Sequence, residues 1–170
     1  RIRGPHVARW RVDGDRLQEL AGPDGWFLTS DLGHMADGYL YFDGRADDLI
    51  NTGGVKINPD LLEERIGKLL RQRGKVVVAK VPDALRGEGV LVVAESAEMD
   101  EVRLKEAAIE ALKSLGLDVG KALHVRVVAT IPLTATGKPL RRLLTEEFAR
   151  ADEVARTDLS STKSVAPSRA

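Results

Sequence analysis

The sequence contains no cysteine. That excludes a disulfide framework, a thiolate zinc site and a cysteine nucleophile. Its histidines, His6, His34 and His124, are scattered without ligand spacing, so no metal site is expected. Neither sign of charge is in excess, since 26 Lys and Arg face 26 Asp and Glu. Nucleic-acid and membrane-surface partners call for a basic field, so neither is expected. No apolar run nears the roughly 18 residues of a membrane span. No signal-peptide pattern occurs either, and a cytoplasmic protein is the simplest expectation. Aromatic residues are scarce, at 4% of the chain, and unevenly spread. Trp10, Trp26, Phe27, Tyr39, Tyr41 and Phe42 all precede residue 43, and only Phe148 follows. The chain begins at Arg1 without an initiator Met, on a stretch that reads like the middle of a strand. The expectation is a piece of a longer chain.

What remains is an ordinary globular balance, 43% hydrophobic and 31% charged over 170 residues. Residues 1–44 carry alternating patterns, "RIRGPHV", "RWRV", "WFLTSDLG" and "GYLYFDG", broken by Asp13-Gly14, Asp24-Gly25 and Asp37-Gly38. They predict short strands joined by turns. After residue 44 the pattern changes. Asn58-Pro59 predicts a helix start, with an apolar face of Leu61, Leu62, Ile66, Leu69 and Leu70. Strands are predicted at 75–81 and 89–96 with a turn between them. Asp100 predicts a second helix cap, with Val102, Ile109, Leu112 and Leu115 facing inward and Gly116 as the stop. A strand at 123–129 and a helix after Pro139, carrying Leu140, Leu143, Leu144 and Phe148, complete the order. The predicted class is α+β, a small domain at 45–150 with a short sheet backed by helices. Residues 151–170 have the composition of a disordered tail.

Three polar stretches stand out. In "GWFLTSDLG" (25–33), Asp31 ends an aromatic strand, where a carboxylate can accept charge-assisted bonds from a vicinal diol. It equally reads as a turn Asp bonded to its own backbone. In "GRADDLINTGGVKINP" (44–59), Gly53 and Gly54 allow close backbone approach to a ligand, and Arg45 suits a phosphate or ribose oxygen. The same stretch reads as a solvated hairpin with a Gly-Gly turn. In "IPLTATGKPLRR" (131–142), a loop of small residues presents Lys138, which taken alone also reads as a solvated surface lysine.

Together and in this order, these stretches resemble a known set. "TSDLG", "GYLYFDGRADDLINTGG", the Pro59-initiated helix with Glu63 and Glu64, "VPD…GE" (Val81, Pro82, Asp83, Gly87, Glu88) and "PLTATGK" are similar to the signature blocks of the acyl-adenylate-forming superfamily. That superfamily includes acyl-CoA and aryl-CoA synthetases, peptide-synthetase adenylation domains and firefly-type luciferases, and the likeness is to its C-terminal end, over residues 1–148. Two departures occur. Ser30 stands where the family usually has Gly, and Arg9-Trp10 where it usually has Gly-Tyr.

The resemblance implies a lid domain at 45–150, preceded by the β-rich end of the large N-terminal domain at 1–44. It implies an ATP-dependent ligase that activates a carboxylic acid as acyl-adenylate and passes it to a thiol, that of coenzyme A or of a carrier-protein pantetheine. By resemblance, Lys138 is the catalytic cation of adenylation, Asp31 meets the ribose and Arg45 the ribose and α-phosphate. Lys56 lies near AMP, Asp47 is the hinge, and Gly53 and Gly54 line the pantetheine tunnel. The phosphate loop, the hold on Mg-ATP and the acyl pocket belong to the N-terminal domain, so these residues alone are expected to be inactive. A free-standing lid-like binding module is the alternative. Arg141 and Arg142 read as a solvated face, with a coenzyme A phosphate as the other option. Glu63 and Glu64 read as an exposed helix start, favourable beside the helix N-terminus.

Overall fold

The computed structural model describes residues 1–71 and 74–162, with side chains as far as Glu153. The chain divides into two units, Arg1–Asp47 and the chain from Asp48 onward. The division falls a few residues past the compositional shift at residue 44.

The first unit is two separate hairpins. Strands β1 (Trp10–Asp13) and β2 (Arg16–Glu19) pair antiparallel, as do β3 (Asp31–Ala36) and β4 (Tyr39–Arg45). Asp37 and Gly38 both take positive φ between β3 and β4, as a tight two-residue hairpin turn demands. The strands predicted at "RIRGPHV" (1–7) and "WFLTSDLG" (26–33) form only in part, since residues 31–33 enter β3 and the remainder does not make a ladder. An isolated bridge joins Ile2 to Phe27, with each amide donating to the other's carbonyl at 2.8 Å. Among the described residues, Gly44 is the only buried one in this unit.

The second unit has a core. Strands β5 (Ile50–Thr52), β6 (Val55–Ile57), β7 (Lys75–Asp83), β8 (Gly87–Glu95) and β9 (Leu123–Val128) form one sheet. β7 runs antiparallel along one side of β8 and is an edge strand. On its other side β8 meets β5 at Gly87 and runs parallel to β9 from Val90 to Glu95. The apolar runs of β7 and β8 alternate between two covered faces. Val78, Val90, Val92 and Ala94 pack under helices α1 (Pro59–Leu69) and α2 (Glu101–Ser114). Val77, Val81, Leu91 and Val93 pack with Ile131 and with Leu144 and Phe148 of α3 (Arg141–Thr162). A sheet covered on both sides needs apolar residues at every position, which is why these strands read as unbroken runs.

The predicted caps form. The Asn58 side chain accepts the Asp60 and Leu61 amides at 2.9 and 3.3 Å, and Asp100 accepts Arg103 N–H at 2.8 Å, each satisfying amides that open a helix. The Asp83 carboxylate bonds the Arg86 and Leu85 amides in the β7–β8 turn, which holds its carboxyl below the usual carboxylate range.

Three expectations differ from the fold. The inner face of α2 is Leu104, Ala107, Ala108, Ala111 and Leu112, while Val102 is 67% exposed. Alanines let the helix approach the sheet closely. α1 buries Leu62 and Ile66, but Leu61 and Leu69 point outward. α3 continues to Thr162, past the end predicted at residue 150. "ARADEVART" is rich in helix-favouring residues and free of Gly and Pro, so nothing stops it. Residues 163–170, the rest of the expected tail, lie outside the described residues.

Candidate functional site

The β3–β4 hairpin gathers the first group. Asp31 and Arg45 are cross-strand partners. A bulge makes this possible: Leu32 pairs with Gly44 and Gly33 with Phe42, leaving Asp43 as the extra residue. Gly33 is required there, since an added Cβ would stand 2.6 Å from the Tyr41 carbonyl. Arg45 Nη1 lies 3.9 Å from Asp31 Oδ1. Its Nε and Nη2 donate to the two Asp47 oxygens at 3.1 and 2.9 Å, the bidentate geometry of a strong charge-assisted pair. All three side chains are about half exposed, so a ligand can reach them. The Asp31 amide also donates to Thr29 Oγ1 at 3.3 Å, a local turn bond. Beside this group, His34 Nδ1 sits 2.9 Å from Asp43 and stacks on Tyr41.

Within the second unit, Gly53 and Gly54 form the turn between β5 and β6. Their φ values are +59° and +88°, as a tight hairpin with a primed turn requires. The Gly53 amide donates to the Arg86 carbonyl at 2.9 Å. The glycine pair is therefore a hairpin turn tied by its backbone to the β7–β8 turn. Lys56 is the exposed outward residue of β6, between Val55 and buried Ile57.

Lys138 stands on the loop between β9 and α3 and is exposed. Its ammonium has no partner among the described residues, whereas its backbone is fixed. Lys138 N–H donates to Thr134 Oγ1 at 3.1 Å, and Thr134 N–H donates to the Lys138 carbonyl at 2.8 Å. Gly137, with φ +80°, donates to the Thr134 carbonyl at 2.9 Å. A bridge joins Leu133 to Pro139. The loop is thus a built turn that holds out one lysine.

The chain is 36% identical over 152 residues to a long-chain-fatty-acid–CoA ligase of Bacillus subtilis, covering 86% of this chain and 26% of that protein. It is 34% identical over 154 residues to a probable CoA ligase of Humulus lupulus, covering 86% and 28%. The crystal structure of ATP-bound MatB from Rhodopseudomonas palustris superposes with a TM-score of 0.57 at 29% identity, over 76% of this chain and 25% of that one. The chain belongs to the AMP-binding acyl-CoA synthetase superfamily. No family model matches it. It spans about a quarter of the length of the relatives it matches. Among the described residues, no helix is long and apolar enough to cross a membrane, and no cluster of His, Asp or Glu is suited to a metal ion.

Within this synthetase-family chain the structure unites Asp31, Arg45 and Asp47, sets Gly53, Gly54 and Lys56 on one hairpin, and gives Lys138 its own turn. Two expectations are corrected. Arg141 is not on a free solvated face: its Nε donates to the Val78 carbonyl at 3.0 Å, and Nη2 donates to Asp60 and Glu63 at 2.7 and 2.8 Å. Glu63 is not on an exposed face but half-buried, accepting the Val78 amide at 2.7 Å. Burial raises its pKa above the ordinary value, against the Val78 and Arg141 contacts. Burial alone would lower the Arg141 pKa, but the Glu63 and Asp60 carboxylates outweigh it and raise it. The bracing role of Thr134 was missed as well. Its only sequence signal was a Thr four residues before the lysine.

Proposed function

We propose that the chain is the lid-bearing part of an ATP-dependent acid–thiol ligase, which makes an acyl-adenylate and transfers the acyl group to coenzyme A. The observation that carries this reading is the Lys138 turn, in which a hydrogen-bonded backbone offers an ammonium without a partner among the described residues. Adenylation brings a carboxylate onto the α-phosphate of ATP, an anion onto an anion. A preorganised cation in a water-poor site stabilises the charge that builds there, and its loss costs about 10²–10³-fold in rate. Lys138 is assigned that role.

Asp31 and Arg45 suit the nucleotide. A half-exposed carboxylate can accept both hydroxyls of a ribose, and the adjacent guanidinium can meet its phosphate. Lys56 is a further cation toward AMP. Asp47 is assigned as the hinge, a reading supported by its position at the last residue of the first unit. Thiol transfer needs a narrow passage for pantetheine, and Gly53-Gly54 offers a backbone without side chains. The same passage would serve a carrier-protein thiol. Mg-ATP and the acyl group would be held mainly by an N-terminal domain of the same enzyme, in the cytoplasm. The apolar side chains left exposed across Arg1–Asp47 favour such a partner over a free-standing module, since large exposed apolar patches mark interaction surfaces.

The test is Lys138→Ala in the complete enzyme. Carboxylate-dependent ATP–pyrophosphate exchange should fall about 10²–10³-fold, while thioester formation from supplied acyl-adenylate survives. Persisting exchange refutes the role of Lys138. The 170-residue chain alone should give no exchange.

A further inference from the structure

The flexible side chain of Lys138 can be preorganised only through the point where its backbone leaves the turn, so what holds that turn matters. Internally, Thr134 brackets Lys138 from both sides, and Leu140 N–H donates to the Pro132 carbonyl at 3.0 Å. At the near end, Ile131 N–H donates to Glu95 Oε2, at the end of β8, at 2.7 Å. At the far end stands Arg141, the first residue of α3 and three residues after Lys138.

Arg141 joins three elements. Its Nε takes the Val78 carbonyl of edge strand β7, and its Nη2 takes Asp60 and Glu63 of α1. Glu63 in turn takes the Val78 amide. Both outward backbone groups of Val78, which a further strand would otherwise pair, are thereby used by the same ion pair. The pair is sheltered, with 30% of the Arg141 side chain and 20% of the Glu63 side chain exposed. Sheltered, multiply bonded pairs hold geometry far better than exposed ones.

We propose that Arg141, locked by Glu63 and Asp60, is a positioning residue for Lys138: it fixes the exit of the turn, and so the origin of the ammonium, without touching substrate. This rests on the reading of Lys138 as the adenylation cation. Arg141 is tied to α1 and β7 through three directed bonds. When it is lost, α3 is still held to the sheet by Thr145 Oγ1, which donates to the Lys80 carbonyl at 2.8 Å, and by Leu144 and Phe148, but the first residue of the helix, where the turn ends, loses its own three ties to β7 and α1. A displacement near 1 Å is enough to cost about 10²-fold in a positioned reaction.

The experiment compares Lys138→Ala, Arg141→Gln, Arg141→Lys and Glu63→Gln in the complete enzyme, with both half-reactions measured. Arg141→Gln should lower kcat for adenylation about 10–100-fold with KM for ATP changed less than about 3-fold. Thioester formation from supplied acyl-adenylate should change less than about 3-fold. Arg141→Lys keeps the charge but not the fork, so it should recover only part of the loss. Glu63→Gln keeps an acceptor for the Val78 amide and should show the same split at smaller amplitude. It decides the matter if the Arg141 variants do not fold. Equal losses in both half-reactions would mean a merely structural role and overturn the proposal. So would normal adenylation in Arg141→Gln when Lys138→Ala is inactive. Normal adenylation in Lys138→Ala would instead overturn the assignment of Lys138, and this inference with it.

Discussion

The two units use their apolar residues in opposite ways. From Ile50 onward they close into two packed layers, with Ile57, Leu62, Ile66, Val77 and Val92 fully buried. Before Asp48 they stay outside: Val12, Leu40 and Phe42 are each at least 66% exposed. The hairpins of the first unit have good turns and good ladders but little burial of their own among the described residues, and isolated two-stranded ribbons are marginal in water. Local signals therefore make the elements, and only burial makes them a stable body. The apolar residues of the first unit stay at its surface, while those of the second close around a core.

The largest effect should come from separating them. A polypeptide of residues 48–162 is expected to unfold cooperatively with heat, and one of residues 1–47 to show no cooperative transition by circular dichroism. A sharp melt from 1–47 would break the comparison. Next come single truncations. Leu62→Ala should destabilise the chain by about 2–5 kcal/mol in chemical denaturation. Leu40→Ala should stay within about 0.5 kcal/mol in this chain, yet become costly in the complete enzyme if a larger body covers it. Smaller again is Gly53→Ala, which forces a side chain into φ +59° and should cost about 1–2 kcal/mol, read as a shifted denaturation midpoint.

The smallest effect is a pH dependence confined to the second unit. Burial raises Glu63 above its ordinary 4.5, so the folded chain binds its proton more readily than the unfolded one. Stability from this group therefore falls as pH rises through the interval above 4.5, and is regained on acidification, opposite to a carboxylate stabilised by pairing. Melting temperatures of wild type and Glu63→Gln, compared across that interval, should move in favour of wild type as pH falls. A difference that is flat with pH would contradict the raised pKa.

Much of the second unit was legible because its signals are local. Asn58-Pro59 and Asp100 sit at their caps, and the Val-rich runs are the long paired strands β7 and β8. Where the sequence misled, the deciding factor was packing. The inner face of α2 is largely alanine, which carries little apolar signal, so Val102 and Ile109 drew attention to the wrong side. Arg141 and Glu63 are 78 residues apart, and no periodicity announces a pair that only the meeting of α1 with α3 creates. In the candidate site, Asp31 and Arg45 stood out by type and order, but their pairing depends on the one-residue bulge at Asp43, which shifts the register where alternation alone would not.

The turn at Lys138 has one further implication. Every bond that shapes it uses main-chain atoms of residue 138 or atoms of other residues, Thr134 foremost, and none uses the lysine side chain. Scaffold and reagent are therefore separable at that position. The ammonium can be shortened, neutralised or replaced by another functional group while the mount that carries it keeps its shape. That makes residue 138 a socket, into which different chemistry can be fitted without redesigning what surrounds it.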